Sequence, residues 1–163
     1  SKDRMFYVNR SLRRKDTDII ISLKDLPQHQ KPKWKILFDS KDKIKIRAFY
    51  SYKGFRYKEI KSGQALNKNG KLKFEVVGIN LNGYSVFWQI TNTGIEAENA
   101  NCLRGDFYNS EIIEGKKIRK EDTMYVGRHY VEVYIVKNDI CFYKSLPFEV
   151  NITRGFTLDW FRG

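Results

Sequence analysis

A chain of 163 residues, 41% apolar and 15% aromatic with a net charge of +12, is long enough to bury its own core and too rich in aromatics to be disordered. Its two cysteines, Cys102 and Cys141, are too few for a disulfide framework and lack metal-ligand spacing, so they read as thiols in a reducing compartment. No stretch approaches the roughly 18 apolar residues of a membrane span, and no apolar signal core stands at the N-terminus; a cytoplasmic location without a membrane partner is expected.

Residues 1–17 are polar and basic, with Arg10, Arg13, Arg14 and Lys15 close together, and read as a tether arriving from a preceding domain. A main domain over 18–153 and a tail over 154–163 follow. Asp18 to Leu23 is a short β-branched run. Pro27 and Pro32 bracket a loop that leads into Trp34. Over 43–50, Ile44, Ile46, Ala48 and Tyr50 share one face while Lys43, Lys45 and Arg47 share the other; this period of two marks a half-buried strand. Asn67-Lys68-Asn69-Gly70 is the strongest hairpin-type turn in the chain, and Leu72, Phe74 and Val76 alternate after it.

Tyr84, Val86, Trp88 and Ile90 share the face of another strand, and Asn92 to about Asp122 reads as a long irregular insertion. Tyr130 to Val136 is a strand, Lys137-Asn138-Asp139 turns it, and Ile140 to Tyr143 returns; Phe148 to Ile152 is the last strand. No segment sustains the helical period over three turns. Many short strands separated by turns predict an all-β fold, an immunoglobulin-like β-sandwich with little helix.

The charge is uneven. Residues 1–80 carry 21 Lys/Arg against 8 Asp/Glu, and residues 81–163 carry 10 against 11, so the field that attracts an anionic partner belongs to the first half. Lysines on edge strands also prevent aggregation.

Catalytic machinery is not recognisable. His29 and His129 do not make a metal site, no nucleophile sits in an activating context, and no glycine-rich phosphate loop is present. Neither a catalytic residue nor a cofactor is assigned. The informative stretch runs from Phe87 to Tyr130. Asn92 and Thr93 present amide and hydroxyl groups at a turn, Arg104 places a guanidinium beside Gly105, and Glu121 is positioned to clamp Arg104. Thr123, Tyr125 and His129 add polar tips, and Trp88, although on the apolar face of its strand, is an aromatic platform candidate. This composition suits a polar, flat, anionic ligand.

In order and spacing, Trp-Gln-Ile-x-Asn-Thr-Gly-x-x-Ala (88–97), Leu-Arg-Gly-x-Phe (103–107) and Glu-x-Thr-x-Tyr-x-Gly-x-His (121–129) resemble the adenylyl/guanylyl cyclase and SMODS C-terminal sensor domain, AGS-C. Leu26-Pro27, Pro32-Lys33-Trp34 and Phe148 to Ile152 also fit, so the resemblance covers roughly residues 20–153. It implies a bacterial sensor domain beside a nucleotidyltransferase or nucleotide cyclase in antiphage systems of the CBASS kind, with that enzyme in cis and a nucleotide-like or phage-derived ligand. Carried onto this chain are Trp88, Asn92, Thr93, Gly94, Leu103, Arg104, Gly105, Glu121, Thr123, Tyr125, Gly127 and His129.

Two alternatives stay open. One is a module for single-stranded RNA or DNA, or for a phage protein, that uses Lys43, Lys45, Arg47, Lys53, Arg56 and Lys58 interleaved with Tyr52 and Tyr57, because bases stack on aromatics while phosphates pair with cations. The other is a structural module that docks on its own cyclase.

Overall fold

A strand with one wet face must alternate, and residues 43–50 do: Ile44, Ala48 and Tyr50 are buried while Lys43, Lys45 and Arg47 are exposed. The computed structural model describes residues 23–37 and 43–155. Along it run β1 (Lys35–Ile36), β2 (Lys45–Tyr52), β3 (Lys58–Ile60), β4 (Ala65–Asn67), β5 (Gly70–Val77) and β6 (Ser85–Asn92). A one-turn helix α1 (Ile95–Asn99) follows, then β7 (Gly105–Asn109), β8 (Glu111–Ile113), β9 (Lys116–Asp122), β10 (Gly127–Lys137), β11 (Ile140–Lys144) and β12 (Phe148–Thr153). The fold is all-β, in two sheets. The tether at 1–17, the run at 18–22 and the tail from 156 lie outside the described residues; Leu23, at the end of that run, belongs to a helical turn at 23–25.

One sheet is antiparallel, in the order β3-β2-β5-β9-β8. The other is built on β10. β6 pairs with β10 over residues 129–136, and β12 and β11 share the opposite edge, β12 over 127–131 and β11 over 134–137. β7 lies beyond β6, and the short β4 and β1 add in parallel to β12 and β11. The inner faces meet in one core in which Ala48, Tyr50, Phe74 and Val76 face Val86, Trp88, Val131, Val133 and Ile135.

Two expectations change. Asn67 to Gly70 is a corner between sheets, not a hairpin, because β4 pairs with β12 while β5 pairs with β2 and β9. The positive φ anticipated from Asn-Gly is present, at +65° on Asn69, and its backbone bonds go across to Thr123 instead of to a neighbouring strand. The stretch from Asn92 to Asp122 is not irregular. It holds α1, β7 and the β8–β9 hairpin, which turns at Glu114 and Gly115 with φ of +51° and +75°. β9 is charged on almost every residue, with only Ile118 buried, so no apolar alternation marks it.

β10 is buried on both faces from Arg128 to Val136. Its outer face is covered by residues 23–37, a strap in which Leu23 and Leu26 pack on Tyr130. Trp34 stacks on Phe87 at 4.8 Å and meets the Phe107 ring edge-on at 5.0 Å. Gly105 is required by this close crossing: a Cβ there would lie 2.2 Å from the carbonyl oxygen of Gln28 and 2.7 Å from Cα of His29. These are backbone atoms that no side-chain rotation can clear. Gly105→Ala is therefore expected to cost about 1–3 kcal/mol and to shift Trp34 emission as the strap lifts, both readable in urea titration followed by fluorescence; an unchanged midpoint would show that the strap is not held by this contact.

Candidate functional site

At one end of the sandwich the space between the sheets is left open as a cavity of about 340 Å³. Its floor is apolar, made by Leu72 and Phe74 of β5, Ile90 of β6, Val131 of β10, and Val150 and Ile152 of β12. Asn92, Arg104, Glu121, Tyr125 and His129 complete the lining with Cys102, Asp122 and Met124.

Asn92 builds one wall. Its amide oxygen accepts the Arg104 N–H at 2.6 Å, its amide nitrogen donates to the Cys102 carbonyl at 2.7 Å, and its own backbone N–H donates to the Arg104 carbonyl at 3.0 Å. Few side chains offer both a donor and an acceptor to one segment, and this pair fixes where the chain returns after α1. Arg104 is thereby held opposite β9, where its guanidinium donates to Glu121. That ion pair joins the two sheets across the cavity. The other carboxylate oxygen of Glu121 takes Arg119 at 2.7 Å, and both guanidiniums lie over the Tyr108 ring, at 5.2 and 4.4 Å.

His129 stands on the inner face of β10, opposite Asn92 on one side and Val150 on the other. Its Nε2 donates to the Tyr125 carbonyl at 2.8 Å. Burial pushes its pKa down to about 4, opposed by that carbonyl and assisted by the Arg104 charge, so the ring is neutral at pH 7. Its Nδ1 is buried with no hydrogen-bond partner among the described residues. The Tyr125 phenol is pushed up by the neighbouring Cys102 thiol and by burial.

Five candidates from the sequence thus come together: Asn92, Arg104, Glu121, Tyr125 and His129. Three do not line the cavity. Thr123 is an internal tie that accepts the Gly70 N–H at 2.7 Å and donates to the Asn67 carbonyl at 2.9 Å. Thr93 donates to the Arg128 carbonyl. Trp88 is fully buried in the core, with its indole N–H on the Ser110 hydroxyl at 2.7 Å. The apolar floor was not anticipated as a site, since its residues alternate like the rest of the core.

The basic alternative is more dispersed. Arg47 is bound to Glu59 at 2.8 Å and Glu75 at 3.2 Å, and Tyr52 is buried with Lys53 over its ring at 5.4 Å. Lys43, Lys45, Lys53 and Arg56 are exposed, Tyr57 and Lys58 are half-buried, and Lys73 sits over the Tyr57 ring at 4.1 Å. Among the described residues, no three His, Cys, Asp or Glu side chains converge as metal ligands, and no helix is long and apolar enough to cross a membrane.

No curated protein matches the chain. The family described as the adenylyl/guanylyl and SMODS C-terminal sensor domain matches residues 24–153, which takes in all of the strap but Leu23, both sheets and every residue of the cavity. The chain belongs to that family, and its part is to sense rather than to catalyse.

Proposed function

We propose that this domain detects a small nucleotide-like or phage-derived ligand in the cavity and so controls a nucleotidyltransferase or cyclase in cis, which makes a second messenger in a cytoplasmic antiphage system of the CBASS kind. The observation that carries the proposal is the cavity itself, open between two sheets that are tied across it by Arg104 and Glu121. Its walls come from both sheets, so an occupant acts on their separation and on that ion pair together. Asn92 also connects the wall to the strap, because its carbonyl accepts the Gln28 side-chain amide at 2.9 Å. A change at the cavity is thus passed to the N-terminal part of the chain.

In the cyclase-bearing protein, Arg104→Ala and the cavity-filling Val131→Phe are expected to reduce the challenge-induced rise in second messenger roughly tenfold, within the range of ordinary coupling free energies, with basal synthesis retained. A full response in both variants would remove the cavity from sensing. The exposed cations Lys43, Lys45, Lys53 and Arg56 support a second reading, a single-strand binding face; its signature would be retention on single-stranded RNA that weakens steeply with salt.

A further inference from the structure

The two sheets are joined at the cavity by a cluster that holds more positive than negative charge. Arg104, on the segment that enters β7, donates to one carboxylate oxygen of Glu121. Arg119, on β9 with Glu121, donates to the other oxygen through Nε at 2.8 Å and Nη2 at 2.7 Å. Among the described residues neither guanidinium pairs with a second carboxylate. Asp122, the other acid of the lining, lies 3.6 Å from Lys71. Two cations therefore share one anion.

Such a cluster has the form of an anion site in which the protein's own carboxylate sits. Both guanidiniums lie over the Tyr108 ring, which steadies their planes. Each has N–H donors beyond those that Glu121 takes. Arg104 and Arg119 are 32% and 23% exposed, so a solute reaches both from water. A phosphate monoester carries a charge of about −1.5 to −2 at pH 7, close to what two guanidiniums balance, and its oxygens suit their forked donors. Arg104 and Glu121 line the cavity beside a floor of hydrocarbon side chains. That floor accepts a flat, uncharged body, whereas a second charge would lose its hydration there without return.

We propose that Arg104 and Arg119 bind the phosphate of a compact phosphate monoester, whose flat body lies on the apolar floor, and that this phosphate displaces the Glu121 carboxylate. The proposal rests on the sensing role given above and supplies its trigger. The direct tie between the sheets is replaced by one that runs through the ligand.

Five probes test this on the 163-residue chain: AMP and 1-naphthyl phosphate, which have both parts; adenosine and 1-naphthol, which lack the phosphate; and inorganic phosphate, which lacks the body. Binding is read from the methyl resonances of Ile90, Val131, Val150 and Ile152 and from the phosphorus resonance of the ester. At least one ester is expected to bind about tenfold tighter than its phosphate-free counterpart and than inorganic phosphate, and the tighter ester tells whether the body is a nucleoside or a plain ring system. Glu121→Gln is expected to tighten that ester about tenfold, because the competing charge is gone and the shape is kept. Arg119→Gln is expected to weaken it by a similar factor. Arg47→Gln, which removes a guanidinium paired with Glu59 and Glu75, should leave it unchanged. A merely structural ion pair predicts no gain from Glu121→Gln. Should the variants not fold, the Nε ¹⁵N resonances of Arg104 and Arg119 in the unaltered chain must move with the ester and stay with its phosphate-free counterpart. Phosphate-free probes binding as tightly as the esters, no gain in folded Glu121→Gln, or no response to either ester would overturn the proposal. A signalling response lost in the cavity variants together with no ester binding sinks this ligand class alone. An intact response in those variants together with the expected order sinks the sensing role alone.

Discussion

Replacing Lys144 by Met is expected to cost about 3–5 kcal/mol of folding stability, more than removing the carboxylate that it serves. Glu132 lies on the outer face of β10, beneath the strap, and is 1% exposed. Its carboxylate receives His29 Nε2 at 2.9 Å and Lys144 Nζ at 3.2 Å. Burial drives the Glu132 pKa up, and His29 and Lys144 together overcome this and hold it below the ordinary carboxylate value, so the group is buried as an anion. Taking away Lys144 leaves that anion under-compensated, the situation in which broken buried pairs cost about 3–5 kcal/mol.

Glu132→Gln instead removes the charge at its origin. Lys144 is 16% exposed and can turn its ammonium to water, so this change is expected to cost only about 1–2 kcal/mol. The double variant should then be more stable than Lys144→Met alone. Urea unfolding of the three variants closes the cycle, and the account fails if Glu132→Gln proves the more damaging single change.

Much of this architecture was legible in the sequence because one face of most strands is wet. Ile44 to Tyr50, Leu72 to Val76 and Tyr84 to Ile90 alternate, and the structure turns the predicted sides inward, with only Ile46 and Tyr84 among them half-buried. Two features escaped for opposite reasons. β9 faces solvent over most of its length, so Lys116 to Asp122 lacks the apolar face that alternation needs. β10 was read as a strand but its cover was not: it has no wet face in its middle, and the run from Tyr130 to Val136, apolar but for Glu132, is the signature of a strand covered on both sides. That run announces a cover without naming it, and only the folded chain shows residues 23–37 in that place.

The polar half of the candidate site was legible because Asn92, Arg104, Glu121, Tyr125 and His129 fall within 38 consecutive residues. The apolar half was not. Leu72, Phe74, Val150 and Ile152 look like any core residues in sequence, and a cavity arises where facing side chains fail to meet, which is a property of two distant strands at once.

The second large effect is a dependence of stability on acid that belongs to His129. Its ring is 7% exposed, and its pKa falls from 6.5 to about 4 on folding. Burial is the main cause. Of the charged residues that line the same cavity, the Arg104 guanidinium acts in the same direction, and the carboxylates of Glu121 and Asp122 are engaged with Arg104, Arg119 and Lys71. The unfolded chain therefore binds a proton at this position between about pH 6.5 and pH 4 that the folded chain refuses, and stability must fall as pH drops through that window. The contribution is fully present above pH 6.5 and exhausted near pH 4, with a span of about 3 kcal/mol at 1.36 kcal/mol per unit.

Carboxylates add their own acid sensitivity, so the measurement is a difference. Stability of the unaltered chain minus that of His129→Gln, from urea titrations between pH 7.5 and 4, should decline by about this amount as pH falls, because Gln does not titrate. A flat difference would mean that the ring takes up a proton inside the fold.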